Sequence, residues 1–368
     1  MSAHAPRHLL HIFPSFTIGG SQTRFGRLVT GHGDRYRHTV ISLDRKLDMA
    51  ERVPARLVTS VAGKCPPRSP LGALAEARRQ IEAIRPDVLV TYNWGSMDWC
   101  MANRWRPIAP HVHIEDGFGP EERDRQLRRR VWARRLALSG THTQIAVPSR
   151  NLERIAHDIW RLRKTEYIPN GINCARFAVG HDRRDGLAIG TVATLRREKN
   201  LAVLIEAAAK LMADFAELRL LIVGAGPEED ALKRAADRTG FKSRIEFTGG
   251  TTEPERFLAQ MDVFALSSDT EQMPLSVLEA MASGLPVASF ELGDVAQMVA
   301  EENRNFVSGK PGDERILRET LRSLLMSPEL RKQLGSANRA RAVSNYDETL
   351  MIERYARLFG EAAVKKSA

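Results

Sequence analysis

The chain has 368 residues, enough for two globular domains that each bury a core of their own. With 43% apolar and 27% charged residues it is neither a disordered chain, a fibrous repeat nor a disulfide-stapled miniature. Lysine and arginine total 55 against 45 acidic residues, and the excess of +10 is uneven: residues 1–172 hold 28 basic and 16 acidic residues, residues 173–368 hold 27 and 29.

In chain order, a first strand is expected over residues 8–13, then a loop over 14–20 and a helix from about Gln22. Further strands at 38–43, 87–91, 112–114, 144–147 and 166–168 alternate with helices at 71–84, 97–104, 121–138 and 151–158, the last capped by Ser149. The segment PNGIN, residues 169–173, interrupts both patterns and marks a hinge. Beyond it the alternation resumes, with strands at 188–194, 219–223, 245–247, 263–266 and 286–289 and helices at 200–213, 228–238, 254–260 and 275–282. The tail from 313 to 359 is helical in pattern, broken near Pro328 and Asn345. Strands alternating with helices in both halves predict two open α/β domains, each a mostly parallel sheet covered on both faces, with ligands in a cleft at the carboxyl ends of the strands. Their expected spans are 1–172 and 173–345, with 346–368 as a C-terminal helix.

Three cysteines, Cys65, Cys100 and Cys174, lack the paired short spacing of zinc sites, and no compact acidic or histidine set demands a metal. Their sparse, odd number fits reduced thiols and a cytoplasmic setting. The N-terminus carries no long apolar run, so a cleaved signal peptide is not expected. No apolar run reaches the roughly eighteen residues that a spanning helix requires.

Chemistry concentrates in SDTEQMPLSVLEAMASGLPVASFELGD, which ends at Asp294. Pro274 and Leu275 can open a helix after a strand, leaving Glu271 in the loop and Glu279 about one turn inside. Two carboxylates placed so can each accept hydrogen bonds from a polyol, one from a sugar and one from a ribose. The helix N-terminus would face phosphate. Solvated glutamates on a helix face would give the same spacing.

This segment resembles the E-x7-E region of the retaining family-4 glycosyltransferases, whose usual pattern is roughly E-G-F-G-L-x-x-L-E-A-M-A-x-G-x-P-V. The chain keeps Glu271, Leu275, Leu278, Glu279, Ala280, Met281, Ala282, Gly284, Pro286 and Val287, and replaces G-F-G by Gln272, Met273 and Pro274. Pro274 cannot donate a backbone hydrogen bond. The resemblance extends to IPNGIN at the hinge, to the Gly19-Gly20 loop and to LLIVGAGPEE over 220–229. It implies the B-type fold of two Rossmann domains, a nucleoside-diphosphate sugar (UDP- or GDP-linked) as donor substrate with no further cofactor, and a final helix crossing back to the N-terminal domain. It also implies the contacts. Glu271 would orient the sugar, Glu279 the ribose and Lys199 the diphosphate, with Gly20, Gly224, Gly226, Met273, Pro274 and Leu275 shaping the donor pocket. Where relatives carry G-R-L-x-P-E-K-N, this chain reads A-T-L-R-R-E-K-N over 193–200, so Thr194 stands at the arginine position and Arg196 is the candidate to replace its charge.

On the N-terminal side, HVHIEDGFG over 111–119 lies where the family has a functional histidine, and the register leaves His113 or Asp116 for that place, with Glu115 and Asp116 as acceptor contacts. Residues 121–135 hold seven arginines against three acidic residues, with Leu127, Val131, Trp132 and Leu136 near helical spacing. That pattern over 121–138 suits shallow contact with an anionic membrane surface, and with it peripheral attachment to the cytoplasmic face of the inner membrane. The acceptor implied is a glycan or a lipid-linked sugar in bacterial surface-polysaccharide or lipopolysaccharide synthesis. Nucleic-acid binding is not expected, since only one half is basic and no recognition motif accompanies it. A nucleotide-sugar-binding regulatory protein is the non-enzyme alternative.

Overall fold

Leu9 and Phe13 of strand β1 (Arg7–Phe13) lie in one core cluster, Leu10 and Ile12 in another, and all four are fully buried. A strand apolar on both faces requires helices on both sides of its sheet, and the computed structural model, which describes residues 5–63, 69–118, 122, 126–178, 180 and 186–364, has that arrangement twice. The chain divides into two compact units, Met1–Asn170 with Thr349–Ala368, and Gly171–Glu348.

In the first unit β1 is followed by α1 (Gly20–His32), β2 (Tyr36–Ser42), β3 (Val58–Ala62), α2 (Pro70–Ile84), β4 (Val88–Tyr92), α3 (Met97–Ala102), β5 (His111–Ile114), α4 (Arg128–Leu138), β6 (Thr143–Val147), α5 (Arg150–Asp158) and β7 (Thr165–Tyr167). The seven strands are parallel in the order β3-β2-β1-β4-β5-β6-β7. The order reverses between β1 and β4, the switch point at which open α/β sheets bind ligands.

The second unit runs β8 (Ala188–Val192), α6 (Leu201–Met212), β9 (Arg219–Val223), α7 (Glu229–Asp237), β10 (Ile245–Gly249), α8 (Glu255–Leu258), β11 (Val263–Leu266), α9 (Leu275–Ala282), β12 (Val287–Ser289), α10 (Val295–Met298), α11 (Glu314–Met326) and α12 (Pro328–Tyr346). Its parallel sheet is β10-β9-β8-β11-β12, with the switch point between β8 and β11. Helix α13 (Glu348–Val364) then returns to the first unit, where Met351, Tyr355, Leu358 and Phe359 share a core with Leu9, Val40 and Val90.

The periodicity located most of these elements within two or three residues. Strand β3 has no counterpart among the expected strands: it is the edge of the sheet, and its polar, half-exposed TSV centre carries no apolar alternation. The Ser149 hydroxyl caps α5 by accepting from the Leu152 N–H at 3.0 Å. The helix expected over 121–138 begins at Arg128. Arg123 and Arg125, with Glu121 and Asp124, lie outside the described residues, as does Cys65.

Candidate functional site

In the second unit the two loops at the switch point are stitched together. The loop after β8 ends in Asn200, held at φ 45°, a conformation that asparagine tolerates. Its side-chain amide donates to Asp269 Oδ1 at 2.8 Å, the Asp269 N–H donates to the Glu198 carbonyl at 2.8 Å, and the Ser267 hydroxyl donates to the Lys199 carbonyl at 3.0 Å. These bonds bring Lys199 Nζ to 2.5 Å from Glu271 Oε1, which also accepts from the Ser268 hydroxyl at 2.8 Å. An ammonium carries three N–H donors, so one bond to Glu271 leaves donors for a second anion. Both side chains keep partial exposure, 24% for Lys199 and 13% for Glu271.

The remaining expected donor contacts fall around this pair with different environments. Thr194 and Arg196 are exposed on the same loop, and the Arg196 N–H folds back to the Thr194 carbonyl at 2.8 Å. Gly224 and Gly226 have a packing reason of their own. A Cβ at Gly224 would sit 1.8 Å from the Ala193 carbonyl oxygen and one at Gly226 2.4 Å from that of Leu195, so only glycine lets the loops after β8 and β9 cross. Met273 is buried in the core, leaving its backbone rather than its side chain for a ligand; Pro274 precedes α9 and Leu275 opens it. Glu279 lies one turn into α9, and its charge reaches Arg176, whose guanidinium is held in its charged form first by Glu255 and then by Glu279. Gly293 was not among the expected site residues, yet it belongs to the support. At φ 51° it lies so close to the Glu271 and Gln272 carbonyls that an added Cβ would come within 2.4 Å and 2.7 Å of them.

In the first unit charge goes inward. Gly20 opens α1, and one turn later Arg24, only 2% exposed, places Nη1 and Nη2 at 2.5 and 2.8 Å from the two carboxylate oxygens of Asp116 just beyond β5. Nη1 also donates to Asn170 Oδ1 at 3.0 Å. Burial works against the guanidinium charge, and the Asp116 carboxylate outweighs it, raising the Arg24 pKa.

His113 is fully enclosed, its Nδ1 2.8 Å from the Thr91 hydroxyl and its Nε2 3.6 Å from Glu115. Burial alone would lower its pKa; contact with Cys100 and then Glu115 reverses this and raises it to about 9. Of the two candidates for the functional-histidine place, His113 therefore lies in a closed environment: residues 111–115 are buried, and Asp116 is the first of this run to reach the rim. Glu115 is enclosed likewise, against Arg134. Cys100, His111 and His113 place their ligand atoms within 4.8 Å of one another, and the Thr91 hydroxyl lies within hydrogen-bond distance of all three at 2.8–3.3 Å, tying them into one buried polar cluster.

The basic helix divides. Arg134 is fully buried, its Nη atoms on Glu122 at 3.0 and 3.1 Å and its guanidinium among Trp94, Phe118 and Trp160. Arg130 also reaches Glu122, at 3.2 Å. What faces outward on α4 is Arg128 and Arg129 with Trp132, 66% exposed, and Leu136, 48% exposed. The sequence reading missed Arg24 and the inward turn of Arg134. The available signal was an arginine standing within an apolar helical stripe: Arg24 with Phe25, Leu28 and Val29, and Arg134 with Val131, Ala137 and Leu138.

Residues 18–176 match the family model "Glycosyltransferase Family 4" and residues 177–341 match "Glycosyl transferases group 1". An uncharacterized glycosyltransferase of Haemophilus influenzae is 31% identical over 126 residues, 34% of this chain and 35% of that protein. The lipopolysaccharide core biosynthesis glycosyltransferase LpsE of Rhizobium meliloti is 26% identical over 212 residues, 56% of this chain and 60% of LpsE. The chain thus spans between a third and three fifths of these curated relatives. Among solved structures, Anabaena HepE in complex with UDP has a TM-score of 0.78 at 17% identity, covering 96% of this chain and 100% of that one, a likeness of fold. The two family matches abut at residues 176 and 177 and together run from the glycine loop to α12, and the chain belongs to the family-4 glycosyltransferases of the two-Rossmann-domain B-type fold.

Proposed function

We propose that this chain moves a sugar, with retention of configuration, from a UDP- or GDP-linked donor to a hydroxyl of a glycan or lipid-linked acceptor in bacterial surface-polysaccharide or lipopolysaccharide synthesis. The observation that carries the reading is the Lys199–Glu271 pair, held by stitched loops at the switch point of the second sheet. Lys199, with Arg196 beside it, neutralises the diphosphate without a metal; Glu271 orients the sugar and Glu279 the ribose. The acceptor oxygen bonds to the anomeric carbon as the bond to the diphosphate oxygen breaks, and the departing diphosphate takes the acceptor proton. The first unit serves the acceptor, with Asp116 rather than the enclosed His113 at the sugar. UDP in HepE and the role of LpsE in lipopolysaccharide core biosynthesis support the donor class and the setting.

Attachment to an anionic membrane surface belongs to the same reading. Trp132, Leu136 and Ile159 are exposed apolar side chains, and Arg135 joins them, lying over Trp132 at 5.3 Å and donating to the Ile159 carbonyl at 2.6 Å. Among the described residues no helix is long and apolar enough to cross a membrane.

The test is thermal stabilisation across UDP, GDP, CDP, ADP and dTDP and then their sugars. One series should give a saturable shift, equivalent to about 2.7 kcal/mol at a hundredfold excess over Kd. A folded sample that shifts with none of them sinks the reading.

A further inference from the structure

Asp116 stands where β5 leaves the core. Its side chain is 19% exposed, whereas those of His113 and Glu115 are completely enclosed. The carboxylate is fixed from two sides. Its own N–H donates to Asn93 Oδ1 at 2.7 Å, and Asn93 holds φ 55°, a left-handed conformation that costs a side chain energy. On the other side Arg24 spans both carboxylate oxygens in the bidentate manner that sets orientation as well as contact.

Stability alone does not account for this arrangement. Arg24 is buried with its Nε lacking any partner, and an unmet buried N–H costs about 1–3 kcal/mol. Apolar residues of similar volume usually serve a core as well as a buried ion pair does, and α1 already presents Phe25, Leu28 and Val29 to that core. A local rule broken at the rim of a sheet, beside its switch point, is the mark of a site. Each carboxylate oxygen retains a lone pair beyond its bond to Arg24, and the exposed edge turns that capacity outward. Such a group accepts hydrogen bonds from hydroxyls and repels phosphate, so its partner is a polyol.

We propose that Arg24 is a positioning residue, holding the Asp116 carboxylate at the rim of the first sheet to receive a sugar hydroxyl. The assignment rests on the sugar-transfer reading above. It also connects the site to the chain's two passages between units. Arg24 donates to Asn170, the last residue before the first passage, and lies 5.7 Å from the ring of Tyr355, on the helix that follows the second.

The test is a cycle of four proteins: unsubstituted, Arg24→Lys, Asp116→Asn and the double variant. They are assayed for nucleoside diphosphate released from UDP-, GDP-, ADP- and dTDP-hexoses with n-octyl β-D-glucoside as probe acceptor, alongside UDP affinity and melting temperature. Each single variant should raise the probe's KM by about tenfold, the loss of one hydrogen bond to a charged group, with UDP affinity within twofold. The double variant should be no worse than Asp116→Asn, since Arg24 acts through that carboxylate. Arg24→Gln, which keeps no charge, should lose more than Arg24→Lys; if it does not fold, the lysine cycle decides alone. Penalties that add, or a fall in melting temperature with KM unchanged, overturn the positioning role and leave the transfer reading standing. No release from any donor by the unsubstituted protein overturns both.

Discussion

At the strand ends of the second unit, Lys199, Glu271 and Asn200 stay partly exposed and tie two neighbouring loops together. In the first, Arg24, His113, Glu115 and Arg134 are enclosed, and Asp116 carries the buried charge network out to the rim beyond β5. Two sheets of one topology thus handle charge differently. The second unit leaves charge accessible at the ends of its strands. The first uses internal charge pairs to fix its shape and leaves the Asp116 carboxylate, held by Arg24, partly exposed at the rim. A charged donor and an uncharged polyol acceptor would ask for that division.

The largest effect should come from the accessible side. Glu271→Gln preserves volume and the Ser268 contact while removing the charge that faces Lys199. Transfer should fall by about a hundredfold or more, the scale of losing one preorganised electrostatic contact. The melting temperature should change little, because the pair is partly exposed and such pairs add little to stability. Normal transfer by the folded variant would remove Glu271 from the chemistry.

The enclosed side should respond in the opposite sense. Arg134→Met leaves the Glu115 and Glu122 carboxylates buried without the guanidinium they share. Stranding one side of a buried pair costs about 3–5 kcal/mol, readable as a lower urea midpoint, with UDP affinity of the remaining folded protein unchanged. A cost below about 1 kcal/mol would mean that α4 is held by its apolar contacts alone.

Buried histidines carry the comparison into pH. His11 bonds Tyr92 and His38, and His32 and Tyr36 donate to carbonyls of α13 at Ile352 and Ala356. Burial, followed by repulsion among His38, His8 and His32, pushes His11 well below 6.5; burial, then His32 and His8, takes His38 to about 3. The unfolded chain therefore binds protons that the folded one excludes. Stability from these groups is complete above pH 6.5 and is lost as pH falls from there toward 3, by up to about 1.4 kcal/mol per pH unit for each histidine. His113 has the reverse sign. Raised to about 9, it stabilises below 6.5 and loses that contribution as pH rises through 9. Unfolding midpoints from pH 4 to 10 should peak between these limits, and His38→Asn should flatten the acid limb. An unchanged acid limb would place its origin outside this cluster.

How much of this could be read beforehand follows from how each unit assembles its site. In the second, the residues of interest occupy two short consecutive runs, 193–200 and 271–279, so spacing alone brings Glu271 to a loop and Glu279 to a helix. The parallel, helix-covered sheets follow from the alternation of strands and helices, apart from β3, whose polar centre offers no pattern. In the first unit the rim joins Arg24, Asn93, Asp116 and Asn170, residues up to 146 positions apart, and no local spacing encodes a pairing at that distance. Composition also misled over α4. Arginines on its buried and exposed faces count equally toward charge, although Arg134 is a core residue and Arg128 is not.

That correction narrows the membrane reading to fewer residues and makes it the gentlest test. Arg130 is drawn to Glu122 and Trp94, so the charges presented outward by α4 are chiefly Arg128 and Arg129, beside Trp132 and Leu136. Each basic side chain near an anionic surface contributes about 1 kcal/mol. Changing Arg128 and Arg129 to Gln should therefore weaken binding to phosphatidylglycerol vesicles by about tenfold to thirtyfold, while neutral vesicles show no difference. Trp132→Ala should weaken binding in high salt as well, because burial of an indole in the interface is not screened as charge is. A Trp132→Ala loss confined to low salt would make the contact electrostatic only, and no loss from either change would move the membrane surface off α4. The enclosed network around Arg134 should be untouched by all of these variants, which keeps vesicle binding and folding separately readable on one helix.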